Sequence, residues 1–258
     1  MTLTLTPHDK PHGWSENGRG YVINDKLYPG VTSILQATKS DEDKKGLEAW
    51  KRRTPEADQQ LNLERGTTVH FEIEHYLKHG ELRQDDKMAL IKTKKGVISP
   101  MAYLKGMEKL LSRITQVHLI EGCVWSPRGY AGRVDAIVTI NDEVRLVDWK
   151  TADRFKSSQQ VRDYKIQLAA YCGALNHVYP TLKLNKALIV VGVKNEPCQP
   201  FYVNEAEMLN LWQDWLKRLE KFNQVGEPCE DSEPYQTQYD GSVDLIENNS
   251  EIHWKRKS

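Results

Sequence analysis

Apolar positions along the chain change period several times, and each change marks an element. From Leu61, the residues Leu63, Val69, Ile73 and Leu77 recur at helical spacing, with Gly80 placed to close the helix. A second helix is predicted from Pro100 to about Ile114, its stripe being Tyr103, Leu104, Met107, Leu110 and Leu111. Three strands follow: Val117 to Trp125, Tyr130 to Ile140 and Glu143 to Lys150, turned by Arg128-Gly129 and Asn141-Asp142. A long helix over about Ser157 to Tyr179 ends before Pro180. The unbroken apolar run between Lys186 and Lys194 reads as a strand buried on both faces. Phe201 to Val203 reads as a short edge strand, and Glu205 to Phe222 as an amphipathic helix carrying Leu209, Trp212, Trp215, Leu216 and Leu219. The order helix, three-strand meander, helix, strand, helix predicts an α/β layered core around a mixed sheet, αβββαβ.

Upstream the pattern is weaker. Tyr21 to Tyr28 predicts a hairpin about Asn24-Asp25, whereas Val31 to Leu35 suits a helix or a strand equally. Asp41 to Arg53 predicts a charged helix, and residues 81–98, polar and basic, an exposed connection. Residues 1–20, rich in Thr, His, Pro and Gly through Asn17, are expected to be a flexible arm ahead of a domain over 21–225. From Gly226 to residue 258 an acidic, flexible tail is expected.

A chain of 258 residues suits one main core. Its 36 basic and 36 acidic side chains balance, but eight acids and three bases lie beyond residue 225, leaving 33 bases against 28 acids, net +5, before it. That sign permits a polyanionic partner without requiring one. The scattered Cys123, Cys172, Cys198 and Cys229 form no C-x-x-C pair, which excludes a zinc ribbon or iron–sulfur cluster. Nothing resembles a secretory leader, a membrane span or an Arg/Ser-rich mitochondrial presequence, so a cytoplasmic location is expected, bacterial or in a phage-infected host. A monomer with no membrane association is expected.

Period-two geometry puts Leu146, Asp148 and Lys150 on one face of the third meander strand, with Val147 and Trp149 on the other. Asp135, in the preceding antiparallel strand, can then lie beside Asp148. Two converging carboxylates suit Mg2+ or Mn2+, ions that keep waters and bind phosphate oxygens. Lys150 can orient or help deprotonate an attacking water and offset charge on the phosphorus centre. Taken alone, an Asp-x-Lys triplet is more often a surface ion pair. Gln167 and Tyr171, four apart on a helix face, can point toward a phosphate or base, or serve as a capping amide and a packing aromatic. His70 and Glu121 are equally open as isolated residues.

Taken in order, Gly66-Thr67-Thr68-Val69-His70, Glu121, Gly132-Arg133-Val134-Asp135, Val147-Asp148-Trp149-Lys150-Thr151 and Gln167-Leu168-Ala169-Ala170-Tyr171 resemble the RecB-like branch of the PD-(D/E)xK nucleases. Within it the chain is most similar, over about residues 20 to 223, to the group holding the mitochondrial genome maintenance exonucleases and their bacterial and phage relatives. The resemblance implies a restriction-endonuclease-like core. It makes His70, Asp135, Asp148 and Glu121 metal ligands, Lys150 the catalytic lysine with Asp135, Asp148 and Gln167, and Thr151, Gln167 and Tyr171 contacts to the cleaved strand. The proline of the superfamily motif is Val134 here, and the second acid is Asp148 rather than Glu. The implied activity is an Mg2+- or Mn2+-dependent exonuclease on single-stranded DNA ends, in DNA replication, repair, recombination or phage DNA metabolism. A preference for single strands requires a narrow channel lined by cations and aromatics, for which Trp50 and Arg52 are candidates, or else a solvated helix face. A structure-selective flap or branch endonuclease and a catalytically idle DNA-binding recombination partner are the alternatives.

Overall fold

A computed structural model describes residues 5–225, apart from 11, 16, 17 and 95. Strands β1 (His12–Ser15), β2 (Gly18–Ile23) and β3 (Lys26–Pro29) form a small antiparallel sheet. Asn24 and Asp25 join the last two at φ 52° and 60°, the left-handed pair that a two-residue hairpin turn requires. The undecided run is helical: α1 (Val31–Ala37) buries Val31, Ile34 and Leu35. Helix α2 (Asp41–Arg53) is capped by Ser40, whose hydroxyl accepts from Asp43 N at 3.1 Å, and carries acids in its first turn and bases in its last. It buries none of its residues. Helix α3 (Glu56–His79) starts directly after Pro55, five residues before the predicted start, and ends where Gly80 turns left-handed at φ 80°.

Residues 81–98, expected to be an exposed connection, instead contain a short 3-10 turn and a hairpin, β4 (Ile91–Thr93) and β5 (Gly96–Ile98). Met88 and Ile91 are buried there in the cluster under α3, and two isolated apolar residues show no period along a sequence. The helix predicted over 100–114 is broken into α4 (Met101–Leu104), a 3-10 turn and α5 (Glu108–Leu111). The loop at 195–198 explains the break. Its amides Asn195 N and Cys198 N donate to Ala102 O at 2.6 Å and Gly106 O at 3.1 Å, and a Cβ on Gly106 would lie 2.1 Å from Glu196 O. Carbonyls engaged from outside are lost to a regular helical ladder.

The main sheet contains β6 (Ile114–Ser126), β7 (Tyr130–Ile140), β8 (Glu143–Ala152), β9 (Ala187–Val193) and β10 (Gln199–Val203), in the order β10-β9-β8-β7-β6. Only β8 and β9 pair parallel, with α6 (Arg162–Val178) as their crossover. That makes the mixed sheet expected of the meander and the later strand. Helix α7 (Glu205–Val225) follows β10. On one face Val134, Ile137, Leu146 and Ile189 pack against α1, α6 and α7; on the other Ala136, Val138, Val147 and Trp149 pack against Val69 and Ile73 of α3 and Leu104 and Leu111 of α4 and α5. All seven residues of β9 are buried, as its unbroken apolar run requires.

The expected flexible arm is in part anchored. Leu5 is buried in the larger core, Tyr179 Oη donates to Thr6 O at 2.7 Å, and Cys123 N donates to His8 O at 2.8 Å. Two of the anchors are main-chain carbonyls, to which composition is blind. The expected acidic tail lies outside the described residues.

Candidate metal centre

The β7–β8 ladder runs from Ile140 opposite Glu143 to Ala136 opposite Val147, and there the strands part. In the gap the Asp135 carboxylate stands in for a backbone carbonyl, accepting from Trp149 N at 2.8 Å. Asp135 therefore holds the fork open and lies beside the Asp148–Lys150 segment. Across β6, Ile120 pairs with Ala136 and Gly122 with Val134, so Glu121 is abreast of Asp135. Glu121 has φ 51°, a conformation that costs an L-residue on the order of 1–2 kcal/mol. The strain is spent where a third acid is delivered to the fork.

From α3, His70 reaches over the same fork. Trp149 O lies 2.8 Å from His70 Nε2, and a carbonyl can only accept, so Nε2 carries the proton. Nδ1 faces Asp135 Oδ2 at 3.6 Å. A backbone-fixed tautomer that frees one ring nitrogen is the usual support of a metal-ligating histidine. Ligand atoms of His70, Glu121 and Asp135 lie within 4.8 Å of one another. A mixed oxygen and imidazole set of this size fits a divalent cation.

Asp148 is 2% exposed and, as the side chains stand, is turned to Lys150, with Oδ2 2.6 Å from Nζ. Facing Asp135 would set like charges together, and the ammonium offers the better partner. Burial raises the Asp148 pKa, Lys150 opposes that, and Asp135 adds to it. Burial works to lower Lys150, but Asp148 and Asp135 outweigh it and hold the amine above its ordinary value. Lys150 is therefore an ammonium at neutral pH. As an ammonium it can orient a water and offset charge. Tyr164 of α6 stacks under it, with Nζ 5.0 Å from the ring centroid.

Gln167 and Tyr171 are brought together as their spacing predicts, but they face each other: Gln167 Nε2 donates to Tyr171 Oη at 2.9 Å. At 7% and 4% exposure neither offers much surface to a strand. Tyr171 explains the glycine of the Gly-x-x-Asp pattern, since a Cβ on Gly132 would lie 2.4 Å from its ring. Thr151 Oγ1 accepts from Arg65 Nε at 3.1 Å. Trp50 and Arg52 sit exposed on α2 and take part in none of these bonds. Arg65, Tyr103, Asp153 and Tyr164 were not anticipated. Arg65, five residues before His70 on one helix, and Asp153, two after Thr151, could have been found by extending the two motifs.

Burial, followed by the nearby Asp135 carboxylate, pushes the Glu121 pKa up to about 7. Because the folded state then binds this proton more tightly than the unfolded one, stability is reduced above pH 7 and regained as pH falls toward the unfolded value. Metal-free protein is expected to melt higher at pH 5.5 than at pH 8. Glu121→Gln should gain about 2 kcal/mol, roughly 6 °C, at pH 8 and flatten the profile. Thermal melts in chelator across that range check it; a variant no more stable than the parent at pH 8 would contradict it.

A buried acid, a charged lysine and a histidine-carboxylate cluster at the fork of two strands define the centre of a metal-assisted phosphodiesterase. Residues 44–238 match the model of the PD-(D/E)XK nuclease superfamily, and the chain belongs to that superfamily as a nuclease. Curated relatives are exonucleases. Mitochondrial genome maintenance exonuclease 1 of Xenopus tropicalis is 29% identical over 245 residues, covering 89% of this chain and 67% of that protein. The proteins of the same name from Mus musculus and Homo sapiens are each 26% identical, covering 80% and 77% of this chain and 62% and 59% of their own. The chain thus spans about three fifths to two thirds of their length. Among solved structures, SSO0001 is 17% identical with a TM-score of 0.31, covering 72% of this chain and 74% of its own. A protein from Eubacterium rectale is also 17% identical, with a TM-score of 0.36, covering 63% and 69%. Likeness at this level adds nothing to the argument. No helix among the described residues is long and apolar enough to cross a membrane.

Proposed function

We propose that this nuclease is an exonuclease that hydrolyses phosphodiester bonds from the ends of single-stranded DNA, with Mg2+ or Mn2+ held by His70, Asp135 and Asp148 and with Glu121 as a further contributor. The observation that carries the reading is the fork itself, where Asp135 props β7 and β8 apart and gathers His70 and Glu121 beside the Asp148–Lys150 pair. The bound cation supplies Lewis-acid activation of a water and of the phosphoryl oxygen. Lys150, kept charged by Asp148 and Asp135, orients the water through its ammonium hydrogens and offsets the negative charge that grows on the phosphorus centre. Gln167 positions Tyr171 through its hydrogen bond, and the Tyr171 ring packs on Gly132, three residues before Asp135. Support for an end-dependent DNA substrate comes from the exonuclease names of the relatives and the net +5 of residues 1–225.

End-labelled linear single-stranded DNA is expected to be degraded in Mn2+ and untouched in chelator. Linear duplex should be cut at least tenfold more slowly, and circular single-stranded DNA should survive. Efficient cutting of circles would reject end dependence and favour a structure-selective endonuclease. Binding with no turnover in either ion would favour an idle DNA-binding role.

A further inference from the structure

Beside the fork, α3, the β4 strand and the end of β8 enclose a cleft of about 290 Å³. Four cations line it: Arg65, Lys92, Lys94 and Lys194. Its two acids are answered, Asp153 by Arg65 Nη1 at 3.2 Å and Asp58 by Lys94 Nζ at 2.5 Å. No carboxylate among the described residues pairs with Lys92 or Lys194, so the cleft keeps two uncompensated positive charges.

Arg65 is not a loose surface charge. Its side chain is 14% exposed, its Nε donates to Thr151 Oγ1 at 3.1 Å, and its guanidinium lies 5.6 Å over the Tyr103 ring, whose hydroxyl donates to Asp153 at 2.8 Å. A guanidinium fixed on three sides loses little side-chain freedom on meeting an anion. The cleft is also set in register with the fork. Thr151 follows Lys150 directly on β8, and Arg65 and His70 of α3 meet β8 at Thr151 Oγ1 and Trp149 O, two residues or about 6.6 Å apart along the strand. That separation is of the order of the step between neighbouring phosphates in a nucleic-acid strand.

We infer that this cleft binds a second, uncleaved phosphate of the substrate strand, with Arg65 as its fixed anchor and Lys92 and Lys194 as its mobile cations. The inference rests on the nuclease reading above and deepens it. The phosphate is either an internal phosphodiester or a terminal monophosphate, and both present the same charge to the same cations.

The test is the Lys92→Ala/Lys194→Ala double variant of the full chain, titrated with a fluorescent single-stranded oligonucleotide in chelator at several salt concentrations. Affinity near 0.1 M salt should fall about tenfold, and the slope of log affinity against log salt should shrink by about 0.7, the value of the one phosphate contact. The melting temperature should be unchanged, since both lysines are solvent-reaching and unpaired. Equal losses for 5′-phosphorylated and 5′-hydroxyl oligonucleotides would support an internal phosphate, and a loss confined to the former would support a terminal one. Parental affinity and slope in the folded double variant would overturn the cleft assignment alone. Failure of the parent itself to bind the oligonucleotide would remove the single-strand reading and the cleft assignment with it.

Discussion

Asp148→Asn is expected to reduce DNA hydrolysis at least ~10³-fold, equivalent to about 4 kcal/mol of transition-state stabilisation, with the fold retained. The substitution keeps the shape of a side chain that is 2% exposed and removes a charge whose burial is unfavourable, as its raised pKa shows. The released Lys150 side chain is 23% exposed and can reach water. Stability should therefore change by no more than about 1 kcal/mol. Lys150→Met should reduce turnover as severely but behave differently on melting. It strands a buried carboxylate without its counter-ion, for which a loss of about 3–5 kcal/mol is typical unless the acid takes up a proton. The Lys150→Met loss should accordingly be larger at pH 8 than at pH 5.5, and the double variant should recover most of it. Turnover and thermal melts of the three purified variants check this. Near-parental turnover in either single variant would defeat the assignment.

Asp135 supports two effects that two substitutions separate. Asp135→Ala removes a metal ligand and leaves Trp149 N without its acceptor at the fork, a loss of about 2 kcal/mol for an unsatisfied buried amide. Asp135→Asn keeps an oxygen that can accept from Trp149 N but gives up the anionic charge. Both are expected to weaken Mn2+ binding at least 10²-fold and reduce turnover at least ~10³-fold, while only the Ala variant melts markedly lower in chelator. Calorimetric Mn2+ titration and melts distinguish them. Equal destabilisation by both would show that the charge of Asp135, not its hydrogen bond, holds the fork.

The strands and their chemistry were legible because a strand's period of two is strict. It put Asp148 and Lys150 on one side and Trp149 in the opposite core, and the structure keeps that arrangement. The mixed sheet followed from a meander with short turns and one later strand too far away to be a hairpin partner. The less regular parts depend on contacts between distant segments. Nothing local marks Glu121 for φ 51°, because the conformation is imposed by its place abreast of the fork. The tautomer of His70 depends on a carbonyl 79 residues away, and the break between α4 and α5 on amides at 195 and 198. Gln167 and Tyr171 were readable as a pair sharing a face. Their spacing could not show whether the pair meets the substrate or closes on itself, as it does here.

Diffraction from Asp148→Asn or parental crystals soaked in Mn2+, recorded at the manganese absorption edge, tests the central assignment most directly. The account predicts an anomalous peak at the fork of β7 and β8 in the parent, bonded to Asp135 and His70 Nδ1 with the Asp148 carboxylate turned toward it, and a weaker peak in the variant. A fork without manganese at saturating concentration, or manganese bound only to groups elsewhere, would contradict it.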